Sequence, residues 1–137
     1  MSEMPFNSEA ERVVLACLLI NPDIWPQLKL VPGDFHIDRN RIVCRAISRL
    51  QGKEIDANTV ADALTDEELK DIGGVSYISQ ILTYCPEPTG TEERATEIEG
   101  LVMADLLREF RERRKLVKAA VNMARIAFDI ETPLRQL

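Results

Sequence analysis

The sequence predicts an all-α chain in two parts: a compact helical head over residues 1–90, then a long helix and the start of a linker over 91–137. Three observations carry this. Aromatic residues make up only 5% of the chain and alternating β-branched runs are few, which disfavours sheet. A glycine pair, Gly73-Gly74, separates an apolar-periodic run holding Leu69 and Ile72 from one holding Val75, Ile78, Ile81 and Leu82. This is a helix stop followed at once by a helix start, since glycine takes the left-handed conformation at no Cβ cost. Between Leu101 and Thr132 there is neither Gly nor Pro, and Ala, Leu, Glu, Lys and Arg dominate, the composition of one continuous helix.

A chain of 137 residues with 45% hydrophobic and 29% charged residues is long enough for one cored, soluble domain. Its net charge of -6 argues against a surface that as a whole coats duplex DNA or an anionic membrane, and leaves a local basic stripe as the route to either. Cys17, Cys44 and Cys85 are odd in number and form no Cys-x-x-Cys motif. They read as reduced thiols in a cytoplasmic protein, the first two as small hydrophobes in apolar runs. No amino-terminal signal pattern and no apolar run of membrane-spanning length is present in the sequence, so no membrane partner is expected.

Element by element, Asn7 or Ser8 caps a first helix running to about Ile20, and Ser8 with Glu11 has capping-box spacing. Val13, Val14, Ala16, Cys17, Leu18 and Ile20 leave it hardly any polar face, as befits a central helix. Pro22 opens a single turn through Ile24, Trp25 and Leu28, with Trp25 as a lid over the core, before Pro32-Gly33-Asp34 breaks the chain. Asp38 is placed to cap a helix whose apolar stripe is Ile42, Val43, Ala46, Ile47 and Leu50, stopped by Gly52. His36 is the only histidine and has no companion at metal-ligand spacing, so it reads as a surface or cap residue. Asp56 or Asn58 caps a short helix, and Thr65-Asp66-Glu67-Glu68 starts the one that ends at the glycine pair. Glu67 and Glu68 point about 100° apart and form a solvated start favoured by the helix dipole. Pro86, Pro88 and Gly90 mark the boundary with the long helix, expected from near Thr91 to near Asp129 and roughly 55 Å long. Gly100 is its mild weak point.

That helix carries a seam. Met103, Leu107, Phe110, Arg114, Val117, Val121, Ala124 and Phe128 alternate at four and three residues, the rhythm of a helix lying on a long partner. A head of this size cannot cover the whole helix, which points to a partner chain or to a missing second arm along the seam, and the seam is the expected oligomer interface. Arg114 alone breaks it, and is expected to snorkel or to meet Glu109 and Glu112 of a partner and so set register.

Several segments carry a family resemblance. Pro5-Phe6-Asn7-Ser8-Glu9-Ala10-Glu11 with Val14-Leu15, then Gly33-Asp34-Phe35, Arg41-Ile42, Ala46-Ile47, Ile55-Asp56 and Thr59-Val60-Ala61 come in the order seen in one family. Ile72-Gly73-Gly74-Val75-Ser76-Tyr77-Ile78 is the most specific piece, and Leu106-Leu107-Arg108 follows in the long helix. Together, over about residues 5–129, the chain resembles the amino-terminal domain of the bacterial DnaB-type replicative DNA helicase. It departs from that pattern in Ala16-Cys17, where many relatives have two glycines, in His36, where an aromatic is usual, and in a long helix about two turns longer.

The resemblance implies a non-catalytic piece of a replicative helicase. It implies a helical head and the first arm of a helical hairpin, pairing into dimers, building a hexameric collar, and docking primase and a helicase loader, with DNA met only through the helicase. ATP and Mg belong to the family's motor. No Gly-x-x-x-x-Gly-Lys-[Ser/Thr] motif occurs in these residues, and no catalytic, metal or cofactor-binding residues stand out. The expectation is a fragment or a stand-alone relative without enzymatic activity of its own. An alternative is a helical protein that binds helicase or single-stranded nucleic acid through Arg108, Arg111, Arg113, Lys115 and Lys118, with Arg114 among them. Glu109 and Glu112 interleave, however, and favour a solvated, ion-paired face.

Overall fold

The computed structural model describes residues 4–84 and 92–129, the side chains of 92–95 excepted, and among the described residues every regular element is helical. Helix α1 (Ser8–Ile20) is the hub. Its missing polar face has the expected cause: Val14, Leu15, Ala16, Cys17 and Leu18 are wholly buried. Asn7 is the cap, its side chain accepting from Ala10 N at 2.9 Å. Glu11 does not close a capping box with Ser8. It turns inward, fully buried, for reasons given below.

A 3₁₀ turn (Pro22–Ile24) leads into α2 (Trp25–Leu28), and Trp25 packs half-buried against the core. A second 3₁₀ turn (Pro32–Asp34) precedes α3 (Asp38–Arg49). Asp38 does not cap this helix. Ile37 holds the cap position without a side-chain bond, and Asp38 pairs instead with Arg41 one turn on. Gly52 lies just past the helix end with φ +85°. Asp56 caps α4 (Ala57–Ala63) through a reciprocal box with Thr59, and Thr65 caps α5 (Asp66–Ile72) through another with Glu68. Glu67 is exposed, whereas Glu68 also bonds Arg49 at 2.8 Å, and that bond holds its carboxyl below the usual range.

At the glycine pair, Gly73 has φ +94° and Gly74 φ +87°. Gly73 N donates to the Lys70 carbonyl and Gly74 N to the Leu69 carbonyl, the two bonds of a Schellman stop. Helix α6 (Val75–Leu82) begins on the next residue. The expected break at Cys85, Pro86, Pro88 and Gly90, and the expected helix end at Ile130 to Pro133, lie outside the described residues.

Helix α7 (Glu92–Phe128) is continuous over 37 residues. Gly100 is no weak point. It is buried where α7 crosses the head, and a Cβ there would meet Ile24 Cδ1 at 3.0 Å and Cys17 Cβ at 3.6 Å. Missing that atom lets the two backbones approach. Ala104 and Leu107 of α7 belong to the same buried cluster as Val14, Val43 and Ile78, so head and first half of the long helix share one core.

Candidate functional site

The long helix divides at Arg114. Before it, Thr96, Gly100, Ala104, Leu107 and Arg114 are buried against the head. Of the seam residues, Leu107 is 1% exposed and Arg114 6%, while Met103 and Phe110 are half-buried. Val117 is half-buried and Ala124 exposed, and Val121 and Phe128 stand 49% and 88% exposed. Within one chain, therefore, the upper seam is already occupied and the lower one is not.

Arg114 corrects the expectation placed on it. Its Nη1 donates to the Pro5 carbonyl and its Nη2 to the Asp34 carbonyl, both at 3.1 Å. Burial lowers its pKa while the nearby Glu11 carboxylate opposes that shift. The acids proposed as its partners are used elsewhere: Glu109 bonds Arg113 at 2.9 Å and Glu112 bonds Lys115 at 3.0 Å. In sequence Arg114 looked like a polar break in an interface. In the fold it is the bolt that fastens α7 to the amino-terminal segment and the second 3₁₀ turn.

The bolt belongs to a buried polar network that the sequence reading passed over. Glu11 accepts from His36 N at 2.8 Å, Ile37 N at 3.3 Å and Asn40 Nδ2 at 2.9 Å. The Tyr77 hydroxyl donates to Asn40 Oδ1. Asp34 accepts from Val31 N at 2.9 Å and pairs with Arg111 at 3.2 Å. Arg41 donates to the Phe35 and His36 carbonyls at 3.1 and 2.9 Å. The network joins α1, the turn before α3, α3, α6 and α7, and its acids hold hydrogen bonds rather than a reaction centre. Glu11, one turn before Val14 and Leu15 and two before Leu18 on the apolar face of α1, was the available signal, because a carboxylate there must be paired to be buried.

The basic stripe is largely consumed within the chain. Arg108 bonds the Leu28 carbonyl and Asp105, Arg111 pairs with Asp34, Arg113 with Glu109 and Lys115 with Glu112. Lys118 is exposed. This is the ion-paired face that the interleaved glutamates favour, not a row of free cations. An open cleft of 560 Å³ lined by Asp38, Arg41, Ile42, Arg45 and Asp71 has mixed charge and no nucleophile.

Beyond Arg114 the helix continues for roughly 21 Å at 1.5 Å per residue. Leu116 is 70% exposed and Met123 59%. At 100° per residue, Leu116, Val117, Ala120, Val121, Met123, Ala124, Ala127 and Phe128 share an arc of about 160°, opposite Lys118, Asn122 and Arg125. A contiguous exposed apolar face of this kind marks a place of contact.

The comparison with known proteins bears on what that contact serves. The model of the family described as DnaB-like helicase N terminal domain matches residues 3–100. This chain belongs to that family. Relatives within it include the replicative DNA helicase DnaB of Geobacillus stearothermophilus, 29% identical over 132 residues, 93% of this chain and 27% of the relative. The replicative DNA helicase DnaC of Bacillus subtilis (strain 168) is 26% identical over 97% of this chain and 28% of its own length. The chain thus spans about a quarter of these helicases. The crystal structure of the N-terminal domain of DnaB helicase from Mycobacterium tuberculosis matches with a TM-score of 0.71 and 27% identity, over 92% of this chain and 88% of that one. The DnaB-type resemblance in the motifs and the DnaB-like fold therefore agree. Among the described residues no helix is long and apolar enough to cross a membrane.

Proposed function

We propose that this chain is a non-catalytic assembly and docking domain of a DNA-replication helicase, self-associating through the carboxy-terminal half of α7. The observation that carries this reading is the uncovered apolar face from Leu116 to Phe128 on a helix whose upper half is already fastened to its own head. A dimer through this face fits the seam residues Val117, Val121, Ala124 and Phe128, with Met103, Leu107, Phe110 and Arg114 reassigned to intrachain contact. Membership of the DnaB-like family supports the helicase context, and a hexameric collar with a full-length helicase is the larger assembly to which the dimer would contribute. Primase and a helicase loader are the partners we assign to the head, with DNA reached through the helicase. The nucleotide chemistry, ATP and Mg, belongs in this reading to a motor that residues 1–137 do not encode, since they contain no phosphate-binding loop sequence.

Co-elution tests the docking. Mixed with full-length replicative helicase and primase from the same cell, the chain is expected to co-elute with one or both, and elution apart from both would contradict the reading. Direct strand binding is disfavoured because Arg108, Arg111, Arg113 and Lys115 are paired within the chain. A labelled single strand is expected to bind weakly and without a steep salt dependence.

A further inference from the structure

Arg12 on α1 and Arg39 on α3 differ from the paired arginines of α7. Each is seated on an aromatic face: Arg39 Cζ lies 4.4 Å from the Tyr77 ring centroid and Arg12 Cζ 5.3 Å from that of Tyr84. Arg12 also donates to the Tyr84 hydroxyl at 2.9 Å. Burial works against its charge, but the hydroxyls of Tyr77 and Tyr84 outweigh burial and raise its pKa. Tyr77 carries Arg39 on its ring face, its hydroxyl donates to Asn40 of α3, and it lies near enough to Arg12 to favour that charge, which brings α1, α3 and α6 to one patch. Among the described residues neither guanidinium has a carboxylate partner, although the chain holds 23 acidic residues. Arg39 Nε is buried with no acceptor among the described residues.

Stacking fixes the plane of a guanidinium, whose N–H groups not used within the chain keep the planar geometry that matches a carboxylate. Holding the side chain in advance also lowers the entropy lost on binding. We propose that Arg12 and Arg39 form a recognition site for a pair of carboxylates on an acidic peptide segment of a partner protein. Two cations suit two carboxylates. A nucleic-acid strand, by contrast, needs a tract of cations along repeating phosphates, and a chain of net charge -6 opposes a long polyanion.

The test uses a fluorescein-labelled hexaglutamate peptide, followed by anisotropy against the full chain at physiological salt, with a labelled oligothymidylate as the nucleic-acid arm. Hexaglutamate is expected to bind the parent more tightly than oligothymidylate does. Arg12→Gln with Arg39→Gln should weaken the peptide about tenfold or more. Arg113→Gln with Lys115→Gln, the same charge change elsewhere, should leave it unaltered. If the glutamine pair loses helicity by circular dichroism, Arg12→Lys with Arg39→Lys replaces it. That pair keeps the charge but not the fork, and should also bind more weakly. Equal loss in the α7 control, undiminished binding in the lysine pair, no peptide binding by the parent, or tighter binding of oligothymidylate would each overturn the proposal.

Discussion

Arg114 Nη2 donates to the carbonyl oxygen of Asp34 at 3.1 Å, joining residues 80 apart in sequence. With the companion bond to Pro5 O, this makes one buried guanidinium the link between the long helix, the second 3₁₀ turn and the segment that leads into α1. Arg114→Leu should leave the Pro5 and Asp34 carbonyls without that donor and remove a cation near Glu11. We expect a loss of roughly 2–4 kcal/mol in urea unfolding, with Arg114→Lys recovering only part because it lacks the fork. Tighter assembly, as a seam position would give, is not expected.

Glu11 gathers three donors in a fully buried site. Glu11→Ala should cost on the order of 3 kcal/mol, since the amides of His36 and Ile37 and the amide group of Asn40 lose their acceptor. Glu11→Gln keeps one acceptor oxygen and should cost less. Thermal melts of the two variants side by side check the order.

Gly100 faces Ile24 and Cys17 where α7 crosses the head. Alanine there gains about 1 kcal/mol of helix propensity, offset by contact with a flexible Ile24 terminus at 3.0 Å, so Gly100→Ala should change stability little. Gly100→Val overfills the crossing and should destabilise by about 1–3 kcal/mol, read as a lower urea midpoint.

His36 stacks against Phe6 at 4.6 Å, and burial, then the charge of Arg114, lower its pKa. A histidine whose folded pKa lies below its unfolded value binds more protons when unfolded. Stability contributed by its neutral form is therefore complete above the ordinary value near 6.5 and declines as pH falls through that value toward the folded one. Because His36 is the only histidine, His36→Gln should flatten the stability profile across that window. An unchanged slope in the variant would contradict the assignment.

Periodicity and punctuation carried most of the fold. The glycine pair, the boxes at Asp56 and Thr65, the buried run of α1 and the length of α7 all follow from local rules that tertiary structure did not override. What escaped were long-range polar pairings. A capping box at Ser8 and Glu11, a cap at Asp38 and a register residue at Arg114 each satisfied a local pattern. Burial of Glu11 and Arg114 depends on donors and acceptors 25 to 109 residues away, which no spacing within one helix announces. The seam was legible as apolar, but a heptad reads the same whether its partner is a second chain or the helix's own head. Leu107 turned out to meet the head, and Val121 to stand free. Gly100 looked like a flaw because the helix it crosses is 83 positions earlier at Cys17.

Assembly through the lower half of α7 can be read from sedimentation of the parent chain beside Val121→Asp. Val121 is 49% exposed, so an aspartate there stays solvated in the single chain, whereas an unpaired carboxylate buried in an interface costs several kcal/mol. The parent is expected to sediment as a dimer or larger, and Val121→Asp as a monomer with unchanged helicity. A variant that assembles as the parent does would contradict it.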